Sequence, residues 1–440
     1  MKHEELEQSF LQLARVVLAQ SRPFQPSDLP GAKPYSRAIL QNAGELLRGF
    51  PAVEACARLH FDEHVVPRPQ MSDNEGRPID DPTFDQSGWV IVHALQSAVG
   101  ETVERVKGLD PADSDLLETY RVYLRSWASG EIMWSARILL VRLQSLIPRT
   151  QLSDLLFIEP VPEEKAGDIS LRSYLGLDLG VWVQPSSHQL VASLSAKRGE
   201  NVNAKRDLVE AEVRRALTAM RLHKAGAVGK QLTAWSTDEK GTVAGGFATH
   251  SRIPVSEYRE ADYQLGPDDV LPIQSLMNSL RALEARGSSE LDFALRRFNS
   301  CYGRSDDEDR VVDVATALES CLVPAQSERP FAAGLFAAAL LRARYDADEV
   351  RRVARAVFIA RNKIVHGSGL TSADLQKQLK RERLTATEVV ALSEELLRQV
   401  LKVLVQEAPS SGSLNALRAR LETGFVTSPL GTPRLPGLPA

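Results

Sequence analysis

The sequence has 440 residues, 43% hydrophobic and 25% charged, with a formal net charge of −4 at pH 7. That length exceeds one ordinary core and implies two or three domains. The charge argues against indiscriminate coating of nucleic acid by the whole chain and leaves room for a local basic patch.

The first stretch, "MKHEELEQSFLQLARVVLAQ", places Phe10, Leu13, Ala14, Val17 and Leu18 at helical spacing, which predicts a packed amphipathic helix. Three glutamates precede its apolar run and Arg15 interrupts it, so it does not read as a secretion signal. No window has the length and purity of a membrane span. The three cysteines, Cys56, Cys301 and Cys321, have no metal-ligand spacing and an odd count. We therefore expect a reduced, cytoplasmic protein.

Residues 22–87 are rich in Pro, Gly and Asp and predict loops around one or two helices, such as 36–49. Residues 89–147 are apolar with helical period and predict two or three helices, broken at Asp110-Pro111 and restarted with Asp113 or Ser114 as cap. Within 151–265, "YLGLDLGVWVQP" and "HQLVASLSAK" read as strands. "LVEAEVRRALTAMRLHKAG" reads as a helix ended by Gly226, and "KQLTAWSTD" with "TVAGGFATHSRIPV" as two paired strands.

From about 270 the pattern is helical: segments 271–286, 289–302, 306–323, 330–344, 347–366 and 385–406 carry apolar residues at three- and four-residue steps, as in a helix bundle. "APSSGS" (408–413) reads as a linker, followed by a short helix at 414–422 and a Pro-rich tail. The expected class is α+β. A mixed region, 1–265, divisible near 150, precedes an all-α bundle at 266–407, with linker and tail at 408–440.

The candidate chemistry concentrates in "ARNKIVHGSG" (360–369). Gly367 is placed to stop the helix, which puts His366 at its C-terminus, where the helix dipole favours an imidazolium. Asn362 and His366 are four apart and share a face; Arg361 starts on another azimuth but has a long side chain. A titratable ring, a fixed cation and an amide suit phosphoryl transfer on RNA: the histidine can move a hydroxyl proton and the arginine can hold the phosphate. The same residues can equally decorate a helix end, where basic groups are favourable anyway. Arg58 and His64 in "RLHFDEH" stand in a similar relation with no such context.

The context around 360–369 carries more. The motif resembles the Arg-Asn-x-x-x-His signature of HEPN domains, an all-helical superfamily rich in RNA-cleaving toxins and antiviral effectors. Upstream, Arg297-Phe298, Asp309-Arg310, Asp313 and Ala317-Leu318-Glu319 resemble the pattern of the Apea-like branch, followed by an alanine-rich helix at 332–343. The likeness covers about 290–370 and, more weakly, 205–265. It implies Arg361 and His366 as the catalytic pair, supported by Asn362. It gives Asp313 and Glu319 either the orientation of Arg361 or a share in the fold. It also implies catalysis without metal or other cofactor, cyclic-phosphate ends, a homodimer that pairs two motifs, and a role in antiphage defence by abortive infection after a phage-derived trigger.

Charge near the motif points the same way. Residues 342–383 hold eleven Lys/Arg against five acids, a balance of +6. Lys363, Lys377, Lys380, Arg381 and Arg383 are the candidate RNA-binding residues, although a solvated charged face would look the same. Two other motifs invite a chemical reading. His60, Glu63 and His64 in "HFDEH" match the order of inverted zinc peptidases, but two prolines follow at once and no third ligand stands out. "GAVGKQ" (226–231) has neither the glycine spacing nor the Ser/Thr of a phosphate loop.

Overall fold

A computed structural model describes residues 2–21, 98–128, 131–161, 187–197, 203–237, 246–249, 253–254, 261–323, 329–411 and 414–423. The expected helix 36–49, the strand-like 174–185, Cys56 and the His60/Glu63/His64 motif lie outside them.

The N-terminal helices have a small core of their own. Helix α1 (Lys2–Ser21), a helix whose described part is 98–106 (α2) and α3 (Asp113–Ala128) bury Phe10, Leu13, Val17, Val99, Val103, Leu116 and Tyr120. Phe10 stacks on Tyr120 with centroids 4.1 Å apart, and Arg121 pairs with Glu7 at 2.7 Å beside them.

After α3 the chain becomes β-structure. Strands β1 (Glu131–Val141), β2 (Leu143–Ser145), β3 (Thr150–Gln151), β4 (Leu156–Pro160) and β5 (His188–Lys197) precede helix α4 (Asn203–His223). Strands β6 (Gly229–Thr237), β7 (Gly246–Thr249) and β8 (Tyr263–Leu265) follow it. Six strands form an antiparallel sheet in the order β3-β4-β5-β1-β6-β7, and β2 pairs in parallel with β8. The pairing of "KQLTAWSTD" with "GFAT" is the expected one, with Trp235 opposite Phe247. Residues 131–145 are strand where helical period was expected. β1 alternates over Trp134, Ser135, Ala136, Arg137 and Ile138, but it then buries Ile138, Leu139, Leu140 and Val141 in succession, an apolar run that fits a helix equally well.

The helical part comprises α5 (Val270–Glu284), α6 (Ser289–Cys301), α7 (Asp307–Leu322), α8 (Arg329–Leu341) and α9 (Ala347–Val365). It continues with α10 (Ala373–Arg381), α11 (Ala386–Ser411) and α12 (Leu414–Thr423). The class is thus α+β, with an antiparallel sheet in the N-terminal half and a helical C-terminal region. Helix α11 runs through Pro409 to Ser411, where a linker was expected from 408. Among the described residues no helix is long and apolar enough to cross a membrane.

Sheet, α4 and bundle share one core. Trp134, Ile138, Leu190 and Trp235 of the sheet, Val213 and Met220 of α4, and Phe298, Val357 and Leu401 of the bundle belong to one contiguous buried cluster. The position 265/266 is a change of secondary structure within that core. Two buried arginines pin it. Arg221 of α4 donates to the Val228 carbonyl and to Asn299 Oδ1 at 3.0 Å, and lies 4.3 Å over the Tyr302 ring. Arg398 of α11 donates to the Arg221 carbonyl at 2.8 Å, the Tyr302 hydroxyl at 3.1 Å and Glu394 at 2.8 Å. Burying these cations is tolerable only because their N–H groups are spent so fully. Gly226 ends the turn after α4 with φ +131°, and a Cβ there would stand 2.8 Å from the Tyr263 Cα.

Candidate active site

Helix α9 carries the motif, and its sequence fixes both ends. Asp346 is the N-cap and accepts from the Glu349 N–H at 2.9 Å, with Asp348 and Glu349 in the first, electropositive turn. Val350, Val353, Ala354, Val357, Phe358 and Ala360 are buried, against α8, α11 and α7 among others. At the other end His366 is the C-cap. The Gly367 N–H reaches the Ile364 carbonyl at 2.9 Å, and the Ser368 N–H reaches the Lys363 carbonyl at 2.8 Å. This is a Schellman turn, and Gly367 takes its left-handed position at φ +85°.

That geometry presents the three motif residues at one exposed end of the bundle. Arg361 is half-buried, Asn362 and His366 are exposed. Arg361 Nη1 donates to Asn362 Oδ1 at 3.1 Å, while its buried Nε has no hydrogen-bond partner among the described residues. No described group hydrogen-bonds the His366 ring; its backbone N–H is spent on the Asn362 carbonyl at 3.1 Å. One permanent cation and one accessible ring therefore lie in the last turn of the same helix, and neither makes an ion pair among the described residues.

The two acids behave differently. Asp313 is buried, and its two oxygens accept from Arg297 Nη1 and Arg304 Nε, each at 2.9 Å. Its carboxylate thus ties α7 to α6 and to the loop between them. Glu319 lies half-buried, six residues further along the same helix.

The basic candidates separate as well. Helix α10 was not expected, because its sequence offers only Leu375 and Leu379 as buried anchors among charged residues. It turns Lys377, Lys380 and Arg381 to solvent on the side opposite those leucines. Lys363 is instead ion-paired to Asp374, whose carboxyl is held below its ordinary range by Lys363 first and Gln378 next. Asp348, Glu349 and Glu382 face Arg351, Arg352 and Arg355 in the same way. The acids of the segment are thus engaged locally. Lys377, Lys380, Arg381 and Arg383 make no ion pair among the described residues and supply four of the segment's remaining positive charges.

Comparison with known proteins finds no matching family model, no matching curated protein and no matching solved structure.

Among the described residues no group of three or more His, Cys, Asp or Glu side chains could hold a metal ion. Cys301 and Cys321 are buried free thiols, and burial pushes the Cys321 thiol up to about 12, which keeps it protonated and inert. The sequence reading missed the loop after His366. Leu370 donates its N–H to Glu308 Oε1 at 2.7 Å, and Gln376 Nε2 bonds the Leu370 carbonyl at 2.9 Å. Glu308 had no local signal beyond its place in the acidic run "SDDEDR".

Proposed function

We propose that this chain is a metal-independent endoribonuclease of HEPN type, with Arg361 and His366 as its catalytic pair and Asn362 supporting them. The observation that carries the reading is the end of α9: Arg361 hydrogen-bonded to Asn362, an exposed His366 on a glycine-terminated turn, and unpaired cations on the adjacent α10. In the reaction, the substrate's 2′-hydroxyl attacks the neighbouring phosphorus, the 5′-oxygen leaves, and a cyclic phosphate forms. His366 moves a proton on the attacking or leaving oxygen, and Arg361 neutralises the charge that grows on the phosphoryl oxygens. Lys377, Lys380, Arg381 and Arg383 hold the RNA backbone.

The accessible His366 ring suits a cleft completed by a second copy of the chain, so the active form is a homodimer. The biological reading is antiphage defence: cellular RNA is cut, as by a toxin, once a phage-derived trigger is sensed in the cytoplasm.

A second reading is a non-catalytic HEPN-type module that binds RNA and dimerises. It is favoured by the same ring, since no described group fixes its tautomer. The deciding experiment incubates the native protein and His366→Ala with total RNA in EDTA and maps fragment ends. The nuclease reading expects cyclic-phosphate fragments from the native protein alone. RNA binding with no cleavage by either protein, with and without phage infection of the expressing cells, favours the module. Cleavage that persists in His366→Ala rejects the assignment.

A further inference from the structure

We propose that Glu308, on a different helix, is a positioning residue for His366. An exposed ring on a helix C-cap is held only as well as the backbone on either side of it. On the N-terminal side α9 supplies that rigidity. On the other side the Schellman bonds hold the chain as far as Ser368, and from Gly369 it has no helix to lean on until α10.

Glu308 closes this gap. Its Oε1 accepts from the Leu370 N–H at 2.7 Å, across 62 residues of sequence and four residues beyond His366. A carboxylate acceptor makes this among the stronger backbone hydrogen bonds available. Gly369 lies against the same oxygen: a Cβ there would stand 2.8 Å from it. The glycine is therefore the residue that lets the loop approach the carboxylate. Glu308 is itself fixed, because Asp306 caps α7 and accepts from the Glu308 N–H at 2.6 Å. The loop is tied further by the Ser372 N–H on the Gly369 carbonyl at 3.0 Å and by the Lys363–Asp374 ion pair across its mouth. Removing the Glu308 bond frees the segment that follows the turn carrying His366. The bland alternative is a bond that merely stabilises a surface loop.

The kinetic consequence rests on the nuclease reading; the positional claim does not. The test uses the full chain with labelled histidine, and Glu308→Ala, Glu308→Gln and Gly369→Ala. Glutamine keeps the oxygen acceptor. Gly369→Ala keeps Glu308 but drives its carboxylate off the loop, which guards against a Glu308→Ala protein that fails to fold. In Glu308→Ala and Gly369→Ala, Leu370 amide exchange should accelerate about tenfold or more. The His366 ring resonances, assigned by their loss in His366→Ala, should shift. RNA cleavage should lose about 10–100-fold in kcat with KM within about threefold. Glu308→Gln should stay close to native in all three. Faster Leu370 exchange with His366 resonances unmoved reduces the contact to a structural one and overturns the proposal. So does a Glu308→Gln protein that behaves like Glu308→Ala. A native protein that cleaves no RNA fails the nuclease reading alone, since the His366 resonances still decide this one.

Discussion

Arg361 donates from Nη1 to the Oδ1 of its own neighbour, Asn362, at 3.1 Å, and this bond sets the guanidinium plane beside the turn that carries His366. A lysine at 361 would keep the charge and lose both the plane and the fork that grips two phosphoryl oxygens. Arg361→Lys should therefore lose about 100-fold in cleavage rate, nearly as much as Arg361→Ala, while RNA affinity falls only a few-fold. Asn362→Ala should cost less, about tenfold, because it loosens the guanidinium without removing it. Single-turnover cleavage beside filter binding separates the two effects. Full activity in Arg361→Lys would show that only a point charge is needed.

Asp313 tests whether the motif's acidic partner acts on the site or on the fold. Its carboxylate is buried between Arg297 and Arg304. Asp313→Ala leaves Arg297 and Arg304, 40% and 41% exposed, to the solvent, and should lose about 1–2 kcal/mol of stability. Urea unfolding should show a lower midpoint at unchanged slope. Cleavage per folded molecule should stay near native for Asp313→Asn; a drop far beyond the folded fraction would assign the acid to the site.

Much of the bundle and of the motif's geometry was legible in the sequence. Segment 347–366 announced itself through Val350, Val353, Val357 and Phe358 at helical steps and a glycine stop, and the helix, cap and left-handed Gly367 are where that pattern puts them. The central strand β1 was not legible, because only Trp134 to Ile138 alternate before the apolar run Ile138 to Val141, which a buried helix would share. Helix α10 escaped for the opposite reason: two leucines are too few to show a face, and only packing against α9 reveals them as anchors. The partners of Asp313 and the grip of Glu308 on Leu370 depend on approaches between distant segments, which no local pattern encodes.

The junction between α4 and α5 should make stability sensitive to acid. Asp269 sits behind Gly266 at the start of α5, bonded to His223 Nε2 at 2.8 Å, to the Gly266 N–H at 2.7 Å and to Lys224. Burial opposes its ionisation, but Lys224, the Gly266 N–H and His223 together outweigh that and hold the carboxyl below its ordinary range. A depressed folded value means the unfolded chain binds the proton more readily. The contribution is then fully present above about pH 4, the unfolded value, and is lost as pH falls through the folded one. Asp269→Asn should destabilise by about 1 kcal/mol at pH 7 and show a smaller loss of stability between pH 5 and pH 3. Parallel pH–stability curves for the two proteins would remove Asp269 as the acid-sensitive group.

Arg383 offers a case in which stability and binding should move in opposite directions. It occupies the left-handed position of the turn after α10, at φ +55°, with its N–H on the Lys380 carbonyl and the Leu384 N–H on the Leu379 carbonyl, each at 3.1 Å. Glycine normally fills that position, and a side chain there costs about 1 kcal/mol. Arg383→Gly should raise thermal stability by up to about 1 kcal/mol, since the greater freedom of glycine in the unfolded chain takes back part of the gain. If Arg383 touches the RNA backbone, the same change should weaken binding across all RNA sequences and lower the salt dependence by about one phosphate contact. A more stable protein that binds less well cannot be a misfolded one, so this pair of signs isolates the contribution of the charge. An unchanged salt slope would take Arg383 off the nucleic-acid path and leave Lys377, Lys380 and Arg381 to carry it.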